Sequence, residues 1–180
     1  YFGGLSQQSQ HRPDEAIALY RAAIPHITAE SDSSIVSLLY AALGDALHDS
    51  KQSQRAYEAY DTALTYDPNN VDCLNNYAYF LAVAGRRLPD AVRMAARAVE
   101  ISPSEVSYID TYAWALYRSR NYKAARTQID LLLQLLSDAD ANRAQDANTA
   151  GYYDRAGDIY AALGLRKEAL RFWKHALQHT

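Results

Sequence analysis

Cysteine is almost missing from this chain: Cys73 stands alone among 180 residues. No internal disulfide is possible, and the redox compartment stays open. Beside Leu74, near the start of a helix, that thiol reads as a small packed side chain rather than a reactive one. Long apolar runs are lacking too, with nothing approaching the roughly 20 residues that span a bilayer. Charge of one sign is also lacking. Eighteen Lys and Arg face 21 Asp and Glu, a formal net charge of −3. That excludes a basic field for nucleic acid and any block of like charge long enough to make a tail.

The signatures of catalysis are missing in the same way. There is no phosphate loop, no HExxH, no G-x-S-x-G elbow and no cysteine pair. His175 and His179 sit four apart, sharing one helical face. No second pair or acid completes a metal site, so they read as solvated side chains at a helix end. Asp138, Asp140, Asn142 and Asp146 match positions 1, 3, 5 and 9 of a calcium loop. Arg143 stands where the turn glycine belongs and Thr149 where the bidentate glutamate belongs, so the stretch reads as a polar loop. The expectation is a protein that is not an enzyme, with no cofactor and no metal.

What is present is repetition. From Ser37 to Asn70, two amphipathic helices follow one another, closed by Pro68. The first carries Tyr40, Leu43, Gly44 and Leu47 on one face; the second carries Ala56, Tyr60, Ala63 and Leu64. The second-helix pattern recurs as Ala16, Tyr20, Ala23, Ile24; as Ala91, Ala95, Ala98, Val99; as Ala125, Ile129, Leu132, Leu133; and as Ala169, Trp173, Ala176, Leu177. Its leading alanines are separated by 40, 35, 34 and 44 residues. The first-helix pattern keeps pace as Leu74, Tyr77, Ala78, Leu81; Ile109, Tyr112, Ala113, Leu116; and Tyr153, Ala156, Gly157, Tyr160.

A spacing near 34 with this small–large alternation resembles the tetratricopeptide repeat (TPR) family. The resemblance implies an all-α, TPR-type solenoid, a right-handed superhelix of antiparallel hairpins with about ten helices. It divides a single domain over residues 1–180 into a partial repeat at 1–30 and repeats at 37–70, 71–105, 106–139 and 150–180. The chain opens on Tyr1, which the repeat register sets inside a first helix with Gly4 at its small position, so a piece of a longer protein is expected.

Small residues have a mechanical task in such a stack, because helices crossing at roughly 8–10 Å need something short at the contact. Gly44, Ala78, Ala113 and Gly157 bring the two helices of a unit together. Ala63, Ala98 and Ala176 bring the second helix to the next unit. Punctuation fits: Pro13, Asp14 and Glu15 open a helix, Pro25 ends or kinks it, and Ser31 to Ser33 offer caps. Asn69 and Asn70 cap the helix from Val71, and Asn121 opens another. Leu132 replaces the usual alanine before a linker at Ser137–Asn142, predicting a changed packing angle there. The last helix, Lys167 to about His179, is expected to turn Leu170, Trp173 and Leu177 toward its neighbours, and no polar capping helix follows it.

In TPR proteins the first helices line a groove that holds a partner segment. The resemblance therefore points to Asp45; Asp72, Asn75, Asn76 and Tyr79; Asp110, Trp114 and Tyr117; and Asp154 and Asp158. Asp49, Thr111, Arg118 and Arg155 lie in the same frame. Asparagines bond a backbone amide from both sides, and Tyr79, Trp114 and Tyr117 are flat anchors. The acidic balance favours a basic or neutral segment of a protein or peptide. Family members that clamp chaperone carboxylates use lysine, asparagine and arginine; here Asn76 alone matches, so no such tail is expected. The alternative is a structural module that self-associates through uncapped ends. The runs LNNYAY and DTYAWALYR resemble bacterial TPR proteins, many of them periplasmic or envelope-associated, with the cytoplasm the other possibility.

The register makes a direct prediction. Ala56→Leu or Ala91→Leu overpacks the inter-helix contact and costs about 1–3 kcal/mol. Thermal denaturation checks it, and an unchanged Tm in both variants contradicts the register.

Overall fold

The computed structural model describes residues 13–139 and 148–178. Among them are nine α-helices and no strand: α1 (Pro13–Ala23), α2 (Ser33–Asp49), α3 (Ser53–Tyr66), α4 (Val71–Ala84), α5 (Leu88–Ile101), α6 (Val106–Arg118), α7 (Tyr122–Ala139), α8 (Thr149–Ala162) and α9 (Arg166–Ala176). The chain divides into two compact units, Tyr1–Tyr77 and Ala78–Thr180. The expected helix over residues 1–10 with Gly4 lies outside the described residues, as do His179 and positions 140–147 of the calcium-like stretch.

In the first unit, α1 begins on Pro13 with Asp14 and Glu15 in its first turn. It gives way to a short 3-10 turn, Ile24–His26, at Pro25, because a proline cannot continue the backbone ladder. Asp32 caps α2, its carboxylate accepting from the backbone N–H groups of Ser34 at 2.8 Å and Ile35 at 3.3 Å. Helix α2 packs against both α1 and α3. Tyr60 of α3 is completely buried and stacks on Tyr77, ring centroids 5.1 Å apart. A Cβ added to Gly44 falls 2.5 Å from the Tyr60 ring, so the glycine is what admits the ring. Ala16, Tyr20 and Ala23 of the first copy are only half-buried; Ile17 is the buried residue of α1.

Cys73 is 1% exposed, with its thiol 3.9 Å from the Tyr60 carbonyl oxygen. Burial pushes its pKa up to about 12, which keeps it protonated and unreactive at neutral pH. Asn70 caps α4 by accepting from the Cys73 N–H at 3.1 Å, and its amide donates to the buried Ser37 hydroxyl at 2.9 Å.

In the second unit each helix packs on the next, α5 on α6, α6 on α7, α7 on α8 and α8 on α9. Ile109, Ala113, Ala125, Ile129, Leu132, Ala156, Ile159 and Ala169 are fully buried and form one core. Gly157 repeats the Gly44 arrangement: a Cβ there would overlap the Trp173 indole.

One turn recurs at the ends of α2, α4, α6 and α8. Lys51, Gly85, Arg120 and Gly164 all take a positive φ of 60–78°. Each turn carries two bonds, as in Lys51 N–H to His48 O and Gln52 N–H to Leu47 O. This is the Schellman closure of a helix. Glycine supplies it at two sites; at the other two a basic residue tolerates the left-handed backbone at a cost of about 1 kcal/mol.

The sequence expectation fails at two details. Helix α9 ends at Ala176, and Leu170 and Leu177 are 54% and 76% exposed. The inward stripe is Ala169, Phe172, Trp173 and Ala176, to which Leu170 is offset by about 100° of helix. Second, Ser137–Ala139 belong to α7 rather than to a linker. The Tyr60 hydroxyl is bonded inside the hairpin, to Asp45.

Gly44→Ala and Gly157→Ala are each expected to lose about 1–3 kcal/mol by overpacking. Gly151→Ala, whose Cβ meets nothing within 4 Å, should gain about 0.5–1 kcal/mol from helix propensity. Urea denaturation of the three variants reads both signs together.

Candidate functional site

The sequence-predicted residues fall into two clusters, one per unit. In the first, Asp45 on α2 accepts the Tyr60 hydroxyl at 2.6 Å and the Asn76 amide at 3.3 Å and 3.4 Å. Asn75 in turn donates to the Asn76 oxygen at 3.3 Å. Burial pushes the Asp45 carboxyl above its ordinary range, and the bonds from Tyr60 and Asn76 pull it part of the way back. This polar string ties α2 to α3 and to the start of α4. Asp45 and Asn76 are thus engaged with one another, while Asp72 is exposed in the first turn of α4.

In the second unit, α6 and α8 bring most of the remaining residues together. Trp114 stacks on Tyr117 with ring centroids 5.2 Å apart and planes 15° from parallel. The guanidinium carbons of Arg155 and Arg118 lie 4.7 Å and 5.4 Å from the Trp114 ring centroid, a cation–π arrangement on one indole. Arg155 also donates to Asp110 Oδ2 at 2.5 Å, and Arg118 to the Val83 carbonyl at 2.9 Å. Asp158 accepts a bond from the Trp173 side chain, and burial, then the nearby Asp154, raise its pKa. Asp154 itself is exposed, and Tyr79 of α4 is half-buried edge-on to Phe80.

Asp110 is the most enclosed acid of this cluster, 9% exposed. Burial pushes its pKa up to about 6, and the Arg155 charge and hydrogen bond offset only part of that shift. Its Oδ1 and the Trp114 Nε1 are both buried without a hydrogen-bond partner.

Sequence position placed Arg155 and Arg118 in the same frame but gave no sign of the Asp110–Arg155 bridge. The two residues are 45 apart, and no local spacing links them. Another feature went unread: an open recess of about 580 Å³ lined by Lys123, Arg126, Thr127, Asp130, Leu163 and Leu165. Its α7 residues recur at steps of three, one and three, a spacing that marks one helix face. There Tyr160 donates to Asp130 at 2.6 Å and Arg126 sits 5.0 Å over the Tyr160 ring. None of the predicted residues lines it.

The enclosed carboxyl sets a pH dependence. The folded state binds a proton at Asp110 near pH 6, whereas the unfolded chain binds it near 3.9. Wild type should therefore gain stability over Asp110→Asn as pH falls from 7 to 4.5, by roughly 1–3 kcal/mol. Denaturant titrations at the two pH values check this; a gap that does not change with pH contradicts it.

Two overlapping stretches match tetratricopeptide-repeat family models, residues 38–70 and residues 59–93. No curated protein sequence matches the chain. Among solved structures, it is similar to BtubC from P. vanneervenii, with 17% identity and a TM-score of 0.80 over 96% of this chain and 75% of that one. It is also similar to MamA from Desulfovibrio magneticus RS-1, with 16% identity and a TM-score of 0.76 over 99% and 92% of the two chains. A third is YrrB, described as a TPR protein with an unusual peptide-binding site, at 20% identity and a TM-score of 0.71 over 96% and 80%. At these identities the likeness is one of fold. Tetratricopeptide-repeat family models match residues 38–93, and over nearly its whole length the chain shares the all-α, TPR-type solenoid fold of these structures.

Proposed function

We propose that this protein is a non-catalytic interaction scaffold that holds a peptide or helix of a partner on residues of its first helices. The observation that carries the reading is the α6/α8 cluster of the second unit. Trp114 and Tyr117 are half-buried and stacked face to face, and two guanidinium groups brace the indole. Rigid aromatic surface with little side-chain entropy left to lose is what binding hot spots are made of. The description of YrrB as a peptide-binding TPR protein supports the same reading. With Asp110 answered by Arg155, the cluster favours a neutral segment over a strongly basic one. With Asn76 bonded to Asp45, the one residue shared with the carboxylate clamp is engaged internally, which speaks against a chaperone tail.

Affinity capture from the native host tests the proposal. A protein retained by wild type and lost with Trp114→Ala plus Tyr117→Ala, the helical circular dichroism being unchanged, is the expected result. Equal retention by both overturns it. A second reading, self-association, is favoured by Leu170 and Leu177, which stand exposed on and just beyond α9. Under it, light scattering should show an assembly that Leu170→Glu with Leu177→Glu reduces to monomers.

A further inference from the structure

Three side-chain atoms in the described residues are buried and unpartnered: Asn75 Oδ1 in the first unit, and Asp110 Oδ1 and Trp114 Nε1 in the second. Leaving one such group unmet costs on the order of 1–3 kcal/mol. The second-unit pair is the more informative, because the atoms are chemically opposite. Asp110 Oδ1 is an acceptor, and Trp114 Nε1 is a donor and nothing else. They stand four residues apart on α6 and so share a face, yet they do not bond to each other. Arg155 connects them, bonded to Asp110 through the other oxygen and lying over the Trp114 ring.

The chemistry that would meet both atoms is narrow. A carboxylate brings acceptors only, serving the indole while facing Asp110. An ammonium or guanidinium group brings donors only, and leaves the indole N–H unmet. An amide brings an N–H and a C=O together. We propose that Asp110 Oδ1 and Trp114 Nε1 form an amide-reading pair that hydrogen-bonds one amide of a neutral partner segment, its N–H to the carboxylate and its C=O to the indole. Arg155 tilts off the indole to admit it while keeping its bond to Asp110. The inference rests on the interaction reading above and names the chemistry of the partner at that cluster.

The test uses the whole chain and two small amides. N-methylacetamide stands for a backbone amide, and propionamide for an asparagine or glutamine side chain. The chain has two tryptophans, so two indole signals appear in a proton–nitrogen correlation spectrum, and Trp114→Phe assigns them. Trp173, bonded to Asp158, serves as the internal reference. The expected result is a saturable shift of the Trp114 signal at least fivefold larger than that of Trp173. The better of the two amides identifies the source. In Asp110→Asn, Arg155 takes the side-chain oxygen and an amide N–H replaces the open acceptor. The apparent Kd should then rise tenfold or more.

A Trp114 signal that ignores both amides overturns the pair, as does one that moves equally with acetate. So does an Asp110→Asn variant that saturates like wild type. The two proposals fail separately. A partner lost with Trp114→Ala and Tyr117→Ala, alongside an indole that ignores amides, keeps the scaffold and discards the amide reading.

Discussion

Two hairpins of this fold, α2–α3 and α8–α9, close on an aromatic ring let into the space left by a missing side chain. Gly44 yields to Tyr60, and Gly157 to Trp173. The ring fills the gap between two helices of one hairpin, so the pair locks at a distance neither could keep with a larger residue at the crossing. The dispersion contacts are individually weak, yet many are made at once. In both places the ring is also held by a hydrogen bond to an acid on the first helix, Tyr60 to Asp45 and Trp173 to Asp158. A buried ring with its polar end satisfied orients the hairpin as well as filling it. The acids that do this lie one residue beyond each glycine, at positions that sequence alone assigns to the partner-facing side.

Much of this was legible in the residues because helical repetition is written in spacing. Small residues at 44, 78, 113 and 157 mark the crossing, and all four are buried. Other parts were not legible, for physical reasons that differ. The Schellman turns were hidden because Lys51 and Arg120 occupy left-handed positions that glycine normally advertises. Leu170 and Leu177 misled because hydrophobicity does not fix direction; a shift of one residue, about 100° of helix, decides it. The Asp110–Arg155 bridge was invisible because it joins helices 45 residues apart. Asp45 and Asn76 were read as groove-lining groups, but their mutual bond leaves them less available than a list of polar groups suggests.

The two clusters also differ in electrostatic character, although both draw on first-helix residues. Around Asp45 the polar groups satisfy one another through neutral donors, Tyr60 and Asn76. Around Asp110 the donor is a charged guanidinium, and one carboxylate oxygen and one indole N–H are left over. The first arrangement is characteristic of a structural buttress. Each cluster leaves buried hydrogen-bonding capacity unmet, the Asn75 oxygen beside the first and an acceptor together with a donor in the second.

The inert thiol has a practical side. Cys73 is the chain's one cysteine, enclosed beneath Tyr60 and held protonated at neutral pH. A second cysteine placed on an exposed helix position, such as Glu58 or Lys167, would react with maleimide dyes in its stead. Single-site fluorescent reporters can therefore be installed along this chain while the native residue, and the packing around it, is left untouched.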